Sequence, residues 1–504
     1  MGARVETTHG RLVGREEDGV LVFRGIPYAT PPVGDARFRP AKPARPWPGE
    51  RDAGEFGASA PQNPMLIPLP GMDVGRTDED CLTLNVWTPG TADGRRPVMV
   101  WIHGGGFVLG SGSQPVYDGA ALARRGDVVV VTINYRLGPL GFLFLDELVP
   151  ELGGDTANLG LRDQIAALRF VRDNAAAFGG DPANVTIFGE SAGGMSVATL
   201  LAMPEARGLF RRAIAQSGAG HNAHTRETAT ATAEAYLAHL GVERGEAARA
   251  LRELPAAKLL DAQQQTVMKL GTKLVLLPFQ PVVDGSSLPA RAVDAVRAGS
   301  AAGVSLLAGT TRDEWRLFSV LDPSLRELDA AGLSKRLAES RVPDAQALID
   351  IYRKSREGRL PVDPLSLLAA IETDRIFRLP AIRLAEAQGA HAGEVFLYRF
   401  DWESPSLGGM LGACHAVELP FVFGTYGKPG GDFFVGTGEP VAALSELASD
   451  AWLAFARSGR PGHPGLPDWP AYETARRATL VFGPTCRLEE DPEGDERRAW
   501  EGSI

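Results

Sequence analysis

The chain has 504 residues, 44% hydrophobic and 23% charged, an ordinary globular balance with enough apolar material for a large core. Its net charge of −10, with no basic patch interleaved with aromatics, argues against a nucleic-acid partner. Three cysteines with no Cys-x-x-Cys pair build no disulfide framework, and no apolar run is long enough for a membrane span. Met1 to Gly10 contains no apolar leader core, and Glu6 breaks a myristoylation pattern, so a cytoplasmic, monomeric protein is expected. No linker, charge block or fixed-period repeat divides the chain. The expectation is one domain over 1–504, with a helical insertion at about 225–265 and a helical region at about 320–390.

In chain order, residues 4 to 25 read as short antiparallel strands turning at Gly10, Gly14 and Gly19. Pro31 to Pro48 is irregular, and the prolines between 60 and 80 mark a long surface loop. Leu82 to Trp87 alternates as a strand. Pro97 to His103 and Val128 to Asn134 are nearly continuous apolar runs, the pattern of strands covered on both faces. Leu161, Ile165, Leu168, Val171 and Ala175 have helical spacing, ended by Gly179-Gly180-Asp181-Pro182. Strands follow at Val185 to Phe188, Arg212 to Gln216, Val304 to Gly309 and Glu394 to Trp402. Helices are expected at Asp344 to Arg356, at Leu365 to Gln388 with a break at Pro380, and at Leu444 to Ser458. Strands alternating with helices indicate an α/β fold with a mostly parallel sheet, whose active site lies beyond the carboxyl ends of the strands.

Chemistry concentrates at those ends. Gly189-Glu190-Ser191-Ala192-Gly193 lies between a strand and an apolar helical run, the context of a sharp turn that presents a serine nucleophile. The glycines permit close backbone approach, and the helix N-terminus behind Ser191 favours negative charge. A serine needs a base. Of six histidines after Ser191, only His415 follows a strand end in a Gly-rich loop. The base needs a carboxylate, and Asp284, Asp313 and Glu314 are candidates. Asp284, in Asp-Gly-Ser-Ser, also suits a plain turn, and spacing does not choose between Asp313 and Glu314. Gly104-Gly105-Gly106 follows a buried strand and bares its N–H groups. Gly105, Gly106 and Ala192 are therefore the candidate oxyanion donors.

Longer blocks carry a family resemblance. They include Phe23 to Ala29, Glu79 to Trp87, Trp101 to Phe107, Asn158 to Gln164, Phe178 to Pro182, Gly189 to Gly194, Gln216-Ser217-Gly218, Thr311 to Glu314, His415 with Glu418-Leu419, and Trp469 to Tyr472. Across nearly its whole length the chain resembles the type-B carboxylesterases, the α/β-hydrolase family that also contains the cholinesterases. The resemblance implies an α/β-hydrolase fold with helical cap insertions, Ser191 as nucleophile, Glu314 as acid and His415 as base. It also implies Ser217 as a hydrogen-bond partner of the acid. Where disulfide-bearing members have a cysteine near position 60, this chain has Ala60, which leaves Cys81 without an evident partner and the intervening loop without a staple. That loop carries Met65, Leu66, Ile67, Leu69 and Met72 but no tryptophan, which speaks against a choline-type cation site.

The resulting expectation is a serine carboxylic-ester hydrolase that forms an acyl-enzyme on small to medium apolar esters, without metal or cofactor. Phe107, Leu317, Phe318 and apolar residues between 268 and 279 are candidates to line the acyl or alcohol pocket, with plain core packing as the alternative. Amide, carbamate or polyester hydrolysis would use the same triad. A non-catalytic binding role, known in relatives that lack the serine, is disfavoured because every catalytic position is kept.

Overall fold

The computed structural model describes residues 3–65, 70–92, 95–271, 277–340, 342, 344–391 and 393–502. Among these, β1 (Arg4–Thr7) and β2 (Gly10–Val13) pair antiparallel, and β5 (Glu50–Asp52) joins β2 to complete a small sheet. The main sheet takes β3 (Arg15–Glu17), β4 (Val20–Pro27), β6 (Thr83–Thr88), β7 (Arg96–Ile102), β8 (Val129–Ile133) and β9 (Gly180–Glu190). It continues with β10 (Arg212–Gln216), β11 (Ser305–Thr311), β12 (Val395–Phe400), β13 (Ala478–Phe482) and β14 (Arg487–Glu490). Its spatial order is β14-β13-β12-β11-β10-β9-β7-β8-β6-β4-β3. The contiguous run β8-β7-β9-β10-β11-β12-β13 is parallel, and the strands outside it pair antiparallel.

The apolar runs are buried on both faces, as expected of a sheet sandwiched between helices. In β7, Val98, Val100 and Ile102 join one core, while Met99 and Trp101 join the other. The Trp101 ring meets those of Tyr117, Phe188 and Phe423, each at 4.9 Å. Helix Leu159–Asn174 buries Leu161, Ile165, Leu168 and Val171, the face its spacing marks out. Helices Arg226–Leu240, Ala247–Glu253 and Ala256–Gly271 occupy the segment after β10. Thr225 caps the first of these by accepting the Thr228 N–H.

Three features differ from the sequence reading. Strands β13 and β14 have no sequence counterpart in it, because their runs are short and flanked by polar turns. The short antiparallel N-terminal strands divide between two sheets, a partition the sequence reading did not address. The expected helix break at Pro380 lies earlier, at Asp374–Arg378, between helices Pro364–Thr373 and Leu379–Gly389.

The loop over 60–80 is held without a disulfide; Cys81 and Cys414 are buried thiols. The Ser59 N–H donates to Arg76 C=O and the Asp78 N–H to Ser59 C=O, both at 2.9 Å. Arg37 grips Glu79 through both guanidinium branches, with Nε to Oε2 at 2.7 Å, and its Nη1 reaches the Leu251 and Leu254 carbonyls. Leu66, Ile67 and Leu69, and residues 272–276 of the pocket candidates, lie outside the described residues.

Candidate active site

The site lies at the carboxyl ends of central parallel strands, following β7, β9, β11 and β12. After β9, Ser191 has φ 57° and ψ −124°, a conformation that L-residues rarely adopt and that marks strain at a functional turn. Helix Ala192–Leu200 starts at the next residue. Glycine is required on both sides of the turn. A Cβ at Gly193 would lie 2.0 Å from Ile102 O, and one at Gly189 would lie 2.6 Å from the Gly193 carbonyl carbon.

The loop after β7 packs directly on this turn. A Cβ on Gly104 would come within 3.0 Å of Ser191 Cβ and of Glu190 Oε2. Gly105 and Gly106 follow at φ +107° and +61°, and among the described residues neither N–H donates to another group. His103 fixes the start of the loop. Its ring stacks on Tyr135 at 4.4 Å, and its Nδ1 lies 2.9 Å from Gly104 O, so Nδ1 carries the proton. Burial lowers the His103 pKa to about 4, which leaves the ring neutral.

After β11, Asp313 and Glu314 part company. Asp313 is partly buried; it accepts Arg312 Nε and Nη2 at 3.0 and 2.7 Å and takes the Ala413 N–H of the histidine loop at 3.0 Å. Glu314 is fully buried; Oε1 accepts the Thr311 N–H at 2.8 Å, and Oε2 lies 2.6 Å from His415 Nδ1. Asp284 does the work of a turn, accepting the N–H groups of Ser286, Ser287 and Leu288.

The other ring nitrogen, His415 Nε2, stands 3.0 Å from Glu190 Oε1, out of line for a hydrogen bond. Among the described residues no hydrogen bond joins it to Ser191 Oγ. Such bonds commonly tighten only around substrate. Burial disfavours the imidazolium, but Glu190 and Glu314 outweigh it and raise the His415 pKa well above its usual value. A third buried carboxyl, Glu418, accepts Gln216 Nε2 at 3.1 Å, while Trp452 Nε1 donates to Gln216 Oε1 at 2.9 Å. Burial, with Glu190 and Glu314 nearby, pushes Glu418 up to about 8.

Among the pocket candidates, Phe318 is 37% exposed, and its ring lies 5.2 Å from that of His415. Leu317 is partly buried against the core beneath. Phe107 is a correction. It is fully buried against Phe142 at 4.7 Å, because its positive φ turns the ring inward from the glycine loop. Ser217 is another, since its buried Oγ makes no hydrogen bond and Glu314 is satisfied by Thr311 and His415 instead. The sequence reading missed Phe377, 5.0 Å from His415 on the side where Phe318 stacks. Nothing local in the sequence marks it. Glu190 and Glu418 were visible within quoted motifs, but without a role.

A model of the Carboxylesterase family matches residues 2–500. The chain belongs to the carboxylesterase family. This esterase is 43% identical to the para-nitrobenzyl esterase of Bacillus subtilis over 98% of its own length and 97% of the relative's. It is 40% identical to the phenmedipham hydrolase of Pseudarthrobacter oxydans, over 95% and 94% of the two chains. The Geobacillus stearothermophilus carboxylesterase EST55 structure superposes with a TM-score of 0.89 at 43% identity, covering 99% of both chains. The esterase is therefore an α/β-hydrolase that acts on small-molecule esters. Among the described residues no helix is long and apolar enough to cross a membrane.

Proposed function

We propose that this esterase cleaves carboxylic esters with small to medium apolar groups through a Ser191–His415–Glu314 triad and an acyl-enzyme. The observation that carries the reading is the 2.6 Å contact between buried Glu314 and His415 Nδ1, beside a strained serine turn. His415 Nε2 takes the Ser191 proton as Oγ attacks the acyl carbon. The N–H groups of Gly105, Gly106 and Ala192 receive the oxyanion, each such donor contributing about 10²–10³ in rate. Imidazolium, held by Glu314, then protonates the leaving alkoxide, and water repeats the cycle on the acyl-enzyme. The likeness to the B. subtilis para-nitrobenzyl esterase supports a leaving group of benzyl size. Its near-complete coverage by one family model supports reading the chain as a single domain. A cytoplasmic monomer completes the proposal, with the buried Cys81 and Cys414 thiols suiting a reducing compartment.

The test is the initial rate on p-nitrophenyl esters from acetyl to dodecanoyl, for the native protein and Ser191→Ala. Serine-dependent turnover with a short-chain optimum is expected. A Ser191→Ala protein near the native rate would move the nucleophile elsewhere.

A further inference from the structure

The wall behind His415 belongs to a helix that changes pitch there. Between Pro364–Thr373 and Leu379–Gly389, the Leu379 N–H donates to Asp374 C=O, five residues back instead of four. Pro380 follows directly, and it has no N–H to offer the carbonyl of Ile376 four residues before it. Wide turns of this kind recur at functional sites.

The wide turn gives adjacent residues opposite tasks. Phe377 faces His415 at 5.0 Å and lies parallel to Phe318, 6.3 Å away. Arg378 is buried on the other side, with Nε and Nη2 on Asp374 at 2.5 and 2.7 Å. Its Nη1 reaches Pro492 C=O at 2.7 Å, and Glu493 and Glu496 lie 3.7 and 3.9 Å from the guanidinium. Asp374 also accepts the Tyr352 hydroxyl, to which Trp500 Nε1 donates at 2.9 Å. Just before the turn, Thr373 Oγ1 accepts the N–H of Trp315, the neighbour of Glu314, at 3.1 Å. One short segment thus touches the acid loop, the histidine ring and the C-terminal residues.

We propose that Asp374 and Arg378, clamped by the C-terminal segment 492–500, are positioning residues that hold the wide turn and so fix both the Glu314–His415 pairing and the aromatic wall beside it. The proposal rests on the triad reading above. His415 protonates the leaving group, so the exposed Phe318 ring beside it faces the alcohol side of an ester, with the buried Phe377 packed behind.

The test uses the full-length protein, with active sites counted by organophosphate labelling so that rates refer to competent sites. Arg378→Lys keeps the charge but loses the planar fork. Glu496→Gln, which also weakens the Arg356 contacts to that carboxylate at 2.9 and 3.0 Å, loosens the clamp from the C-terminal end, and Phe377→Leu removes the ring that transmits it. In each folded variant, per-site kcat/KM for a benzyl ester should fall about 10-fold more than for the ethyl ester of the same acid. The acid limb of the pH–rate profile should move to lower pH as His415 is held less firmly on Glu314. A merely structural network would lower thermal stability and leave per-site rates, selectivity and that limb unchanged, and this result overturns the proposal. Tyr352→Phe, a core-compatible swap that removes the hydroxyl joining Asp374 to Trp500 without touching the wall, decides the matter alone if the charge variants do not fold. An unchanged selectivity and acid limb in that variant also overturns it. An active Ser191→Ala protein would instead overturn the triad reading, whatever these variants do.

Discussion

Glu314 and Asp313 are adjacent carboxylates with different surroundings, and the difference predicts different mutational costs. Glu314→Gln should lower kcat by about 10³–10⁴-fold, since the amide cannot stabilise the imidazolium. Asp313→Asn weakens only an Arg312 contact and a loop N–H, and should cost under about 10-fold. Steady-state kinetics of both decides, and the reverse order would reassign the acid. The direction of the His415 shift fixes a pH dependence. In the proposed mechanism only the neutral ring accepts the Ser191 proton, and its pKa is raised. The rate should therefore fall as pH drops through a value above the ordinary histidine 6.5. An acid limb at or below 6.5 would contradict the ionic contacts with Glu190 and Glu314. Glu418 makes a separate prediction for stability. Its folded pKa of about 8 exceeds the ordinary 4.5, so the native state holds a proton that the unfolded chain releases between those values. Its contribution to stability is lost as pH rises across that window. Glu418→Gln should show a smaller loss of melting temperature between pH 5 and 8 than the native protein.

At the scale of elements, the serine turn depends on backbone contact. Gly193→Ala would drive a methyl into Ile102 O at 2.0 Å. A cost of about 3 kcal/mol or more is expected, since backbone cannot yield as a flexible side chain can. Urea unfolding measures it, and near-native stability would mean that the strand and helix separate easily. This turn was readable beforehand, because strand propensity, glycine spacing and an apolar helix are local signals. The pairing of Phe377 with His415 was not. It joins a wide helical turn to a ring 38 positions away, a contact that periodicity does not record. The inward turn of Phe107 was equally hidden, since one positive φ decides which way the ring faces.

Across the whole molecule, buried ion pairs lock segments distant in sequence. Arg136 holds Asp163 through Nε and Nη2, both at 2.7 Å, with both side chains almost fully buried. Arg136→Ala should cost about 3–5 kcal/mol in urea unfolding, because it strands a buried carboxylate. A cost below about 1 kcal/mol would mean that water reaches Asp163. The edge strands β3 and β14 read Arg-Glu-Glu and Arg-Leu-Glu-Glu, charged sequences that discourage further strand addition. The mostly parallel sheet was legible from local steric preference and hydrophobic patterning, and the same local signals mark out the serine turn, the glycine loop and His415 of the proposed site. The proposed choice of Glu314 over Asp313 came from family resemblance, and the surroundings of the two carboxylates support it: Asp313 pairs with the partly buried Arg312, whereas Glu314 is fully buried beside His415. Only the folded structure shows that the Ser217 hydroxyl makes no hydrogen bond, that Glu190 stands 3.0 Å from His415 Nε2, and that a C-terminal ion network lies behind Phe377. Those outcomes depend on how burial and charge balance among groups hundreds of residues apart, and no local pattern encodes that balance.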